Sequence, residues 1–157
     1  MSVFISYHRP DEGRAVLINL YLTRNGVQTY LDVLDPALQS SEAVTQKILS
    51  ALGKCTHLLG LISNTTANSW WVPFEIGVAT DSERRISSYD IAGVSLPDYL
   101  RIWPVLRNED DLAKYVKRYK QDRLILESAY KSVEARSTPV QSPADFHRLL
   151  KSDLGQR

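Results

Sequence analysis

Chemistry in this chain could begin at Glu75. It lies in Asn68-Ser69-Trp70-Trp71-Val72-Pro73-Phe74-Glu75-Ile76-Gly77-Val78-Ala79, a stretch that reads as a loop entering a short helix. Asn68 or Ser69 can cap that helix through a side-chain oxygen. Pro73 is tolerated only near a helix start, where few amide hydrogens have an intrahelical partner. Glu75 then falls close to the N-terminus, and Trp71, four residues earlier, shares its face about one turn away, roughly 5–6 Å. A carboxylate beside a wide flat ring is a place for a flat ligand. The other reading is that both tryptophans pack in the core and Glu75 is a first-turn acid favoured by the helix dipole. These residues alone leave both open.

Other candidate chemistry is thin. His57 stands inside the apolar run Thr56-His57-Leu58-Leu59-Gly60-Leu61-Ile62 with no partner His, Cys or acid at metal spacing nearby, so it reads as a packed or edge residue and no metal site is assigned. Cys55 is the only cysteine, which gives neither an intrachain disulfide framework nor a thiolate cluster for zinc, and makes the cytoplasm the default location.

The elements that must position Glu75 follow from the patterning. Val3–Tyr7 is a β-rich run, followed by the polar His8-Arg9-Pro10-Asp11-Glu12 and then a helical pattern to Asn25-Gly26. The apolar residues Ala15, Val16, Leu17, Ile18, Leu20 and Leu22 cover more than one stripe of that helix and predict a well-buried one. Val27–Leu31 reads as a second strand leading into a long apolar loop, Asp32 to Ser40. Ser41 then caps a helix with Val44, Ile48 and Leu52 on one face, ended by Gly53. The run at 56–62 has the continuous apolarity of a central parallel strand covered on both faces.

After the Glu75 helix, residues 85–91 read as a weaker, alternating edge strand, and 102–106 as a short strand lying at an edge or starting near Pro104. From Glu109 to about Arg136 the pattern is one long helix or two joined ones. Lys114, Lys117, Arg118, Lys120 and Arg123 there read as a solvated face. Ser142-Pro143-Ala144-Asp145 carries three cues for a last helix: a capping Ser, Pro at the first helical position and an acid at the third.

Five strands separated by helices predict an α/β fold, a parallel sheet with helices on both faces and right-handed crossovers. Ligands of such sheets bind outside the carboxyl ends of the strands. There the Tyr7-His8-Arg9 turn, the loop beginning at Asp32, the Ser63-Asn64-Thr65 turn and the entry to the Glu75 helix should gather.

The 157 residues, 43% hydrophobic and 24% charged, suffice for one good core and not for two full domains. The expected division is a core over 1–108 and a helical C-terminal extension over 109–157 that packs on or beside it. A net charge of +1 argues against a nucleic-acid surface and favours a small ligand or a protein partner. The first residues go straight into strand-forming sequence without a signal peptide, and no apolar run approaches the roughly 20 residues that span a bilayer. The expectation is a soluble, cytoplasmic protein without membrane or nucleic-acid partners.

Phe4-Ile5-Ser6-Tyr7 with His8-Arg9, then Tyr30-Leu31-Asp32 and a loop, then Ser69-Trp70-Trp71 with Glu75, resembles the Toll/interleukin-1 receptor (TIR) domain over roughly the first two-thirds of the chain. The resemblance implies a flavodoxin-like three-layer fold with a parallel sheet of about five strands. It implies that the Asp32–Ser40 segment is the BB loop, which mediates homo-oligomerisation, and that Glu75 is the glutamate of those members that cleave NAD⁺. By the same resemblance Tyr7 and Trp71 would contact flat rings of NAD⁺, Arg9 and His8 would meet phosphate oxygens, and Ser69 and Asp32 would shape the pocket. Two departures stand out: Asp35-Pro36-Ala37 replaces the glycine many BB loops carry, and His8 stands where some NAD⁺-cleaving relatives have arginine.

The function implied is an NAD⁺ nucleosidase or ADP-ribosyl cyclase, with NAD⁺ as substrate and no cofactor. It resembles the small TIR proteins of bacterial antiphage defence, Thoeris among them, whose cyclic or conjugated ADP-ribose signal reaches a separate effector. A non-enzymatic TIR adaptor acting by homotypic assembly is the alternative. A deoxyribosyltransferase-like enzyme is a weaker third reading. A phosphate receiver is disfavoured because no pair of acids stands directly at the end of the first strand, where His8-Arg9 lies, to hold Mg²⁺. The chain also lacks a Gly-rich phosphate loop, so binding must use another device than the Rossmann fingerprint.

Overall fold

A computed structural model of the chain describes residues 1–33, 46, 49–50, 52–64, 66, 77, 79–80, 83–94, 96, 98–131 and 141–157. Its strands are β1 (Val3–Tyr7), β2 (Thr29–Val33), β3 (His57–Ile62), β4 (Arg85–Asp90) and β5 (Val105–Leu106). They form one sheet in the order β2-β1-β3-β4-β5, with every pair parallel. This is the flavodoxin-like order, with the helices that parallel connections require. The long described helices are α1 (Glu12–Arg24), α2 (Glu109–Lys131) and α3 (Pro143–Asp153). Residues 52–54 and 79–80 are also helical.

Alternation along the strands divides the core into two layers. Val3, Ile5, Tyr7, Leu59 and Leu61 face a layer completed by Ile18 and Leu22 of α1, Leu112, Tyr115 and Tyr119 of α2, and Phe146 and Leu150 of α3. Phe4, Leu58, Ile62 and Ile86 face the other, with Leu52, Ala79, Leu96 and Leu100. β1 and β3 are mostly apolar, Ser6 and His57 apart, because both of their faces are covered.

Several boundaries move. β2 runs to Val33, so the backbone of Asp32 belongs to the strand and the loop begins after it. Val27 is instead buried in the turn that ends α1, where Gly26 takes φ +77° and the Val27 N–H donates to the Leu22 carbonyl at 3.0 Å. α1 buries only Ala15, Ile18 and Leu22. Val16, Leu17 and Leu20 stay 39%, 60% and 43% exposed, because one stripe meets the sheet and the rest of the helix lies outside it.

β4 is an interior strand rather than an edge, and all six of its residues are buried. β5 is the edge. Its outer hydrogen-bonding groups are occupied, since the Val105 N–H donates to Gln156 Oε1 at 3.0 Å and Gln156 Nε2 donates to the Val105 carbonyl at 2.6 Å. A side-chain amide thus stands where a further strand would bond. α3 begins with the expected cap: Ser142 Oγ accepts from the Asp145 N–H at 3.1 Å, and the Asp145 carboxylate accepts back from Ser142.

Candidate functional site

The carboxyl ends of β1, β2, β3 and β4 meet in one rim. Register places Ser6 against Asp32 and Tyr7 against Val33, so the β1 exit and the end of β2 lie side by side. After β1 the backbone of His8 is extended, and Pro10 lies in the first turn of the short 3₁₀ helix Arg9–Asp11, where its missing N–H costs nothing. The Asp11 N–H donates back to the His8 carbonyl at 2.8 Å, which fixes the turn. Asp11 Oδ2 then accepts from Ser63 Oγ at 2.8 Å. The exits of β1 and β3 are thereby tied together.

The β3 exit is itself closed by Thr66, whose Oγ1 accepts from the Ser63 N–H at 2.7 Å and donates to the Ser63 carbonyl at 3.2 Å. At the end of β4, Asp90 turns the chain by accepting from the amides of Ala92 and Val94 at 3.3 and 3.1 Å. Arg107, just past β5, approaches its other oxygen at 3.8 Å.

The expected site residues fall as follows. Tyr7 is buried within the apolar layer of Val3 and Ile5. His8 is half-buried, with Nδ1 out of reach of solvent and without a hydrogen-bond partner among the described residues. Arg9 is exposed on the rim. Asp32 is placed there by its backbone. Glu75, Ser69 and Trp71 lie outside the described residues, as does the segment from Leu34 to Ser40. Downstream of Glu75, Gly77, Ala79 and Thr80 are helical, and Ala79 is fully buried in the second core layer.

At the opposite, amino-terminal ends of the strands stands a polar cluster that the sequence reading missed. Arg85 opens β4 and pairs through Nε and Nη2 with the carboxylate of Asp122 on α2, the Nη2 bond to Oδ1 being 3.2 Å. The same Nη2 donates to the Gln141 carbonyl at 2.8 Å. His57 lies 3.8 Å from Asp122 and packs against Tyr115, Tyr119 and Phe146. Its Nδ1 shares a hydrogen bond of 2.9 Å with Thr56 Oγ1. Burial, and secondarily Arg85, hold the His57 pKa well below its usual value. Burial raises that of Asp122, against the pull of Arg85.

Thr56, His57 and Asp122 have the residue types of a proton relay. His57 and Asp122 are both inaccessible to solvent, however, and their 3.8 Å separation is too long for a hydrogen bond. The cluster therefore fastens helices to the sheet and offers no substrate a way in. Among the described residues no group of three or more His, Cys, Asp or Glu is placed to hold a metal ion, and no helix is long and apolar enough to cross a membrane.

The family model described as TIR domain matches residues 3–124. The chain belongs to the TIR-domain family. Among solved structures it is similar to the TIR domain of the Toll-related receptor TRR-2 from Hydra magnipapillata, with a TM-score of 0.58 and 14% identity over 76% of this chain and 95% of that one. At that identity the likeness speaks for the fold. No curated protein matches the chain.

The TIR match takes in all five strands and α2 as far as Leu124. Arg85 and Asp122 lie within the matched span, whereas Gln141 and His147 lie beyond it. His147 Nε2 accepts the Ile86 N–H at 2.7 Å, and burial with Arg85 nearby lowers its pKa to about 4. The buried cluster thus binds the segment that follows the TIR match onto β4. The signal for it was an Arg at a strand start and an Asp in the middle of a helix, which spacing cannot connect.

Proposed function

We propose that this TIR domain is an NAD⁺ nucleosidase with ADP-ribosyl cyclase activity, acting at the rim formed by the carboxyl ends of β1 and β2. The observation that carries the reading is the registered approach of the Tyr7-His8-Arg9 turn to Asp32, in a family that includes NAD-cleaving enzymes as well as non-enzymatic adaptors. The Trp71 and Glu75 spacing adds the acid and the flat ring. In the reaction the bond between ribose C1′ and the nicotinamide nitrogen breaks, and its electron pair leaves with nicotinamide as a neutral base. The leaving group therefore needs little acid.

Positive charge develops on the ribose, and the Glu75 carboxylate stabilises it electrostatically and accepts hydrogen bonds from ribose hydroxyls. Arg9 takes the diphosphate as a charge-assisted partner, with His8 beside it, while Trp71 borders the rings, the buried Tyr7 backs the turn from the core, and Ser69 and Asp32 shape the pocket. Water captures C1′ and releases a proton to give ADP-ribose; capture by a nucleophile of the same molecule gives a cyclic product. We assign the protein to the cytoplasm and its product to a separate effector in antiphage defence.

TIR domains commonly self-associate, and the adaptor reading draws on the exposed Val16, Leu17 and Leu20 of α1. In the enzyme reading assembly runs through the loop from Asp32 to Ser40. Incubation of the purified chain with NAD⁺, with chromatographic identification of nicotinamide and of the ribosyl product, tests the proposal. Release of nicotinamide by the wild type and its loss in a folded Glu75→Gln variant are expected. Assembly without turnover, in a preparation that sediments as an oligomer, would make the protein an adaptor.

A further inference from the structure

Two adjoining clefts lie beside β5 and α3, and no residue of the Tyr7-His8-Arg9 turn is among their described lining residues. One, of about 310 Å³, has Val94, Leu96 and Val105 among its lining residues and carries Arg101 and Arg107. The other, of about 560 Å³, carries Arg148 and is bordered by Ile102. Lys151, Gln156 and Arg157 line both. These volumes lie in the range of small-molecule sites.

The charge of this lining is one-sided. Five cations face the two clefts, and no Asp or Glu is among the described lining residues, in a chain whose net charge is only +1. The carboxylates nearby neutralise them poorly. Asp98 stands 3.7 Å from Arg101 and Asp90 3.8 Å from Arg107, both beyond hydrogen-bond length. Asp145 meets Arg148 at 3.3 Å, with both side chains exposed, where ion pairs are weak. Lys151 Nζ donates to the Arg101 carbonyl at 3.1 Å, which spends one of its three donors and none of its charge. His147 also lines the second cleft, and its lowered pKa leaves it neutral at pH 7.

Like charges gathered on one surface raise the affinity for an anion that sits among them. Because the cations span two clefts that share Lys151, one phosphate would leave part of the charge unused, and a diphosphate reaches both. The apolar side chains of Val94, Leu96 and Val105 suit a ring carried on that diphosphate. We propose that the Lys151 clefts form a binding site for a nucleoside diphosphate or a closely related organic diphosphate, separate from the Tyr7-His8-Arg9 turn. This inference does not depend on NAD⁺ cleavage.

Calorimetric titration of the full chain with ADP, pyrophosphate and adenosine tests it, at low ionic strength because exposed charges are screened within about 10 Å at 0.1 M salt. ADP is expected to bind with sub-millimolar affinity, pyrophosphate more weakly and adenosine not measurably. Measured in an Arg9→Ala background, which removes the diphosphate partner proposed at the β1 exit, Arg148→Glu should weaken ADP at least fivefold and Lys151→Glu at least tenfold. Among the described residues Arg148 contacts only Asp145, exposed on its own helix, so its reversal is expected to keep the fold intact should Lys151→Glu not fold. Absence of ADP binding to the wild type overturns the proposal. So does binding in that background that survives Arg148→Glu, or binding wholly lost on Arg9→Ala alone, which would move the ligand to the Arg9 turn.

Discussion

Arg85 at the first position of β4 and Asp122 in the middle of α2 form a buried ion pair, 37 residues apart in sequence, with the carboxylate wholly inaccessible to solvent. Such a pair is worth little against an apolar replacement of both partners, but the loss of one leaves the other charged and buried. Asp122→Ala is expected to destabilise the fold by about 3–5 kcal/mol. Arg85→Met combined with Asp122→Leu should recover part of that loss. Urea unfolding of the single and double variants measures both. Equal stability of Asp122→Ala and wild type would show that the pair does not hold α2 to the sheet.

Acid sensitivity follows from the same region. Burial, and secondarily the nearby Arg85, lower the His147 pKa from its ordinary 6.5 to about 4 in the folded chain. Between those values the unfolded chain binds a proton that the folded chain does not. The stability is fully present above 6.5 and is lost as pH falls toward 4. His57 is shifted in the same direction. Asp122, with its pKa raised by burial, works the other way. His147→Gln should flatten the fall in urea midpoint between about pH 7 and about pH 4.5. A slope unchanged by that substitution would place the acid sensitivity elsewhere.

At the rim, Glu75→Gln keeps the side-chain volume and removes the charge that offsets the developing ribosyl cation. A loss of about 10²-fold or more in kcat is expected. Full turnover in this variant, with a wild-type melting temperature, removes Glu75 from the chemistry.

Trp71 separates stacking from packing. If it borders the ligand, Trp71→Ala lowers activity with little loss of stability, and Trp71→Phe restores part of the activity. If it is a core residue, the alanine variant loses about 3–5 kcal/mol and its folded fraction stays active. Thermal melts and NAD⁺ turnover on both variants distinguish these outcomes.

The strands legible in the sequence were those whose apolar character is local. β1 and β3 bury both faces with Val3, Phe4 and Ile5, or with Leu58, Leu59, Leu61 and Ile62, and no distant partner is needed to explain them. β4 was read as an edge because Arg85, Ser87, Ser88 and Asp90 are polar. They are buried all the same. Arg85 is satisfied by Asp122 and Gln141, and Asp90 by the amides of Ala92 and Val94.

The basic stretch of α2 read as a solvated face, which holds for Lys114, Lys117 and Lys120. Arg118 instead reaches α3, with Nε donating to Asp153 at 3.0 Å. The apolar excess of α1 has the opposite history: it predicted burial, but the sheet covers a single stripe of the helix. For the candidate site, the position of the rim followed from the strand-helix alternation. The Asp11 to Ser63 tie did not, because it joins loops 52 residues apart.

Gln156 offers a last test, of how the edge of the sheet is closed. Its amide both accepts from and donates to Val105, completing the short edge strand β5 without a sixth strand. Gln156→Ala would leave the Val105 N–H and C=O to water or to another chain, at a cost of about 1–2 kcal/mol for two hydrogen bonds of ordinary net strength. Gln156→Glu should be intermediate: one carboxylate oxygen still accepts the Val105 N–H, but the donor to the carbonyl is gone and an acceptor faces it. Hydrogen exchange at Val105 reads the N–H alone, and thermal melts read both bonds. Fast exchange is expected in the alanine variant and slow exchange in the glutamate variant, with the melting temperature ordered Gln, Glu, Ala. Protection of Val105 in Gln156→Ala at protein concentrations where light scattering shows a monomer would mean that another group of this chain closes the edge.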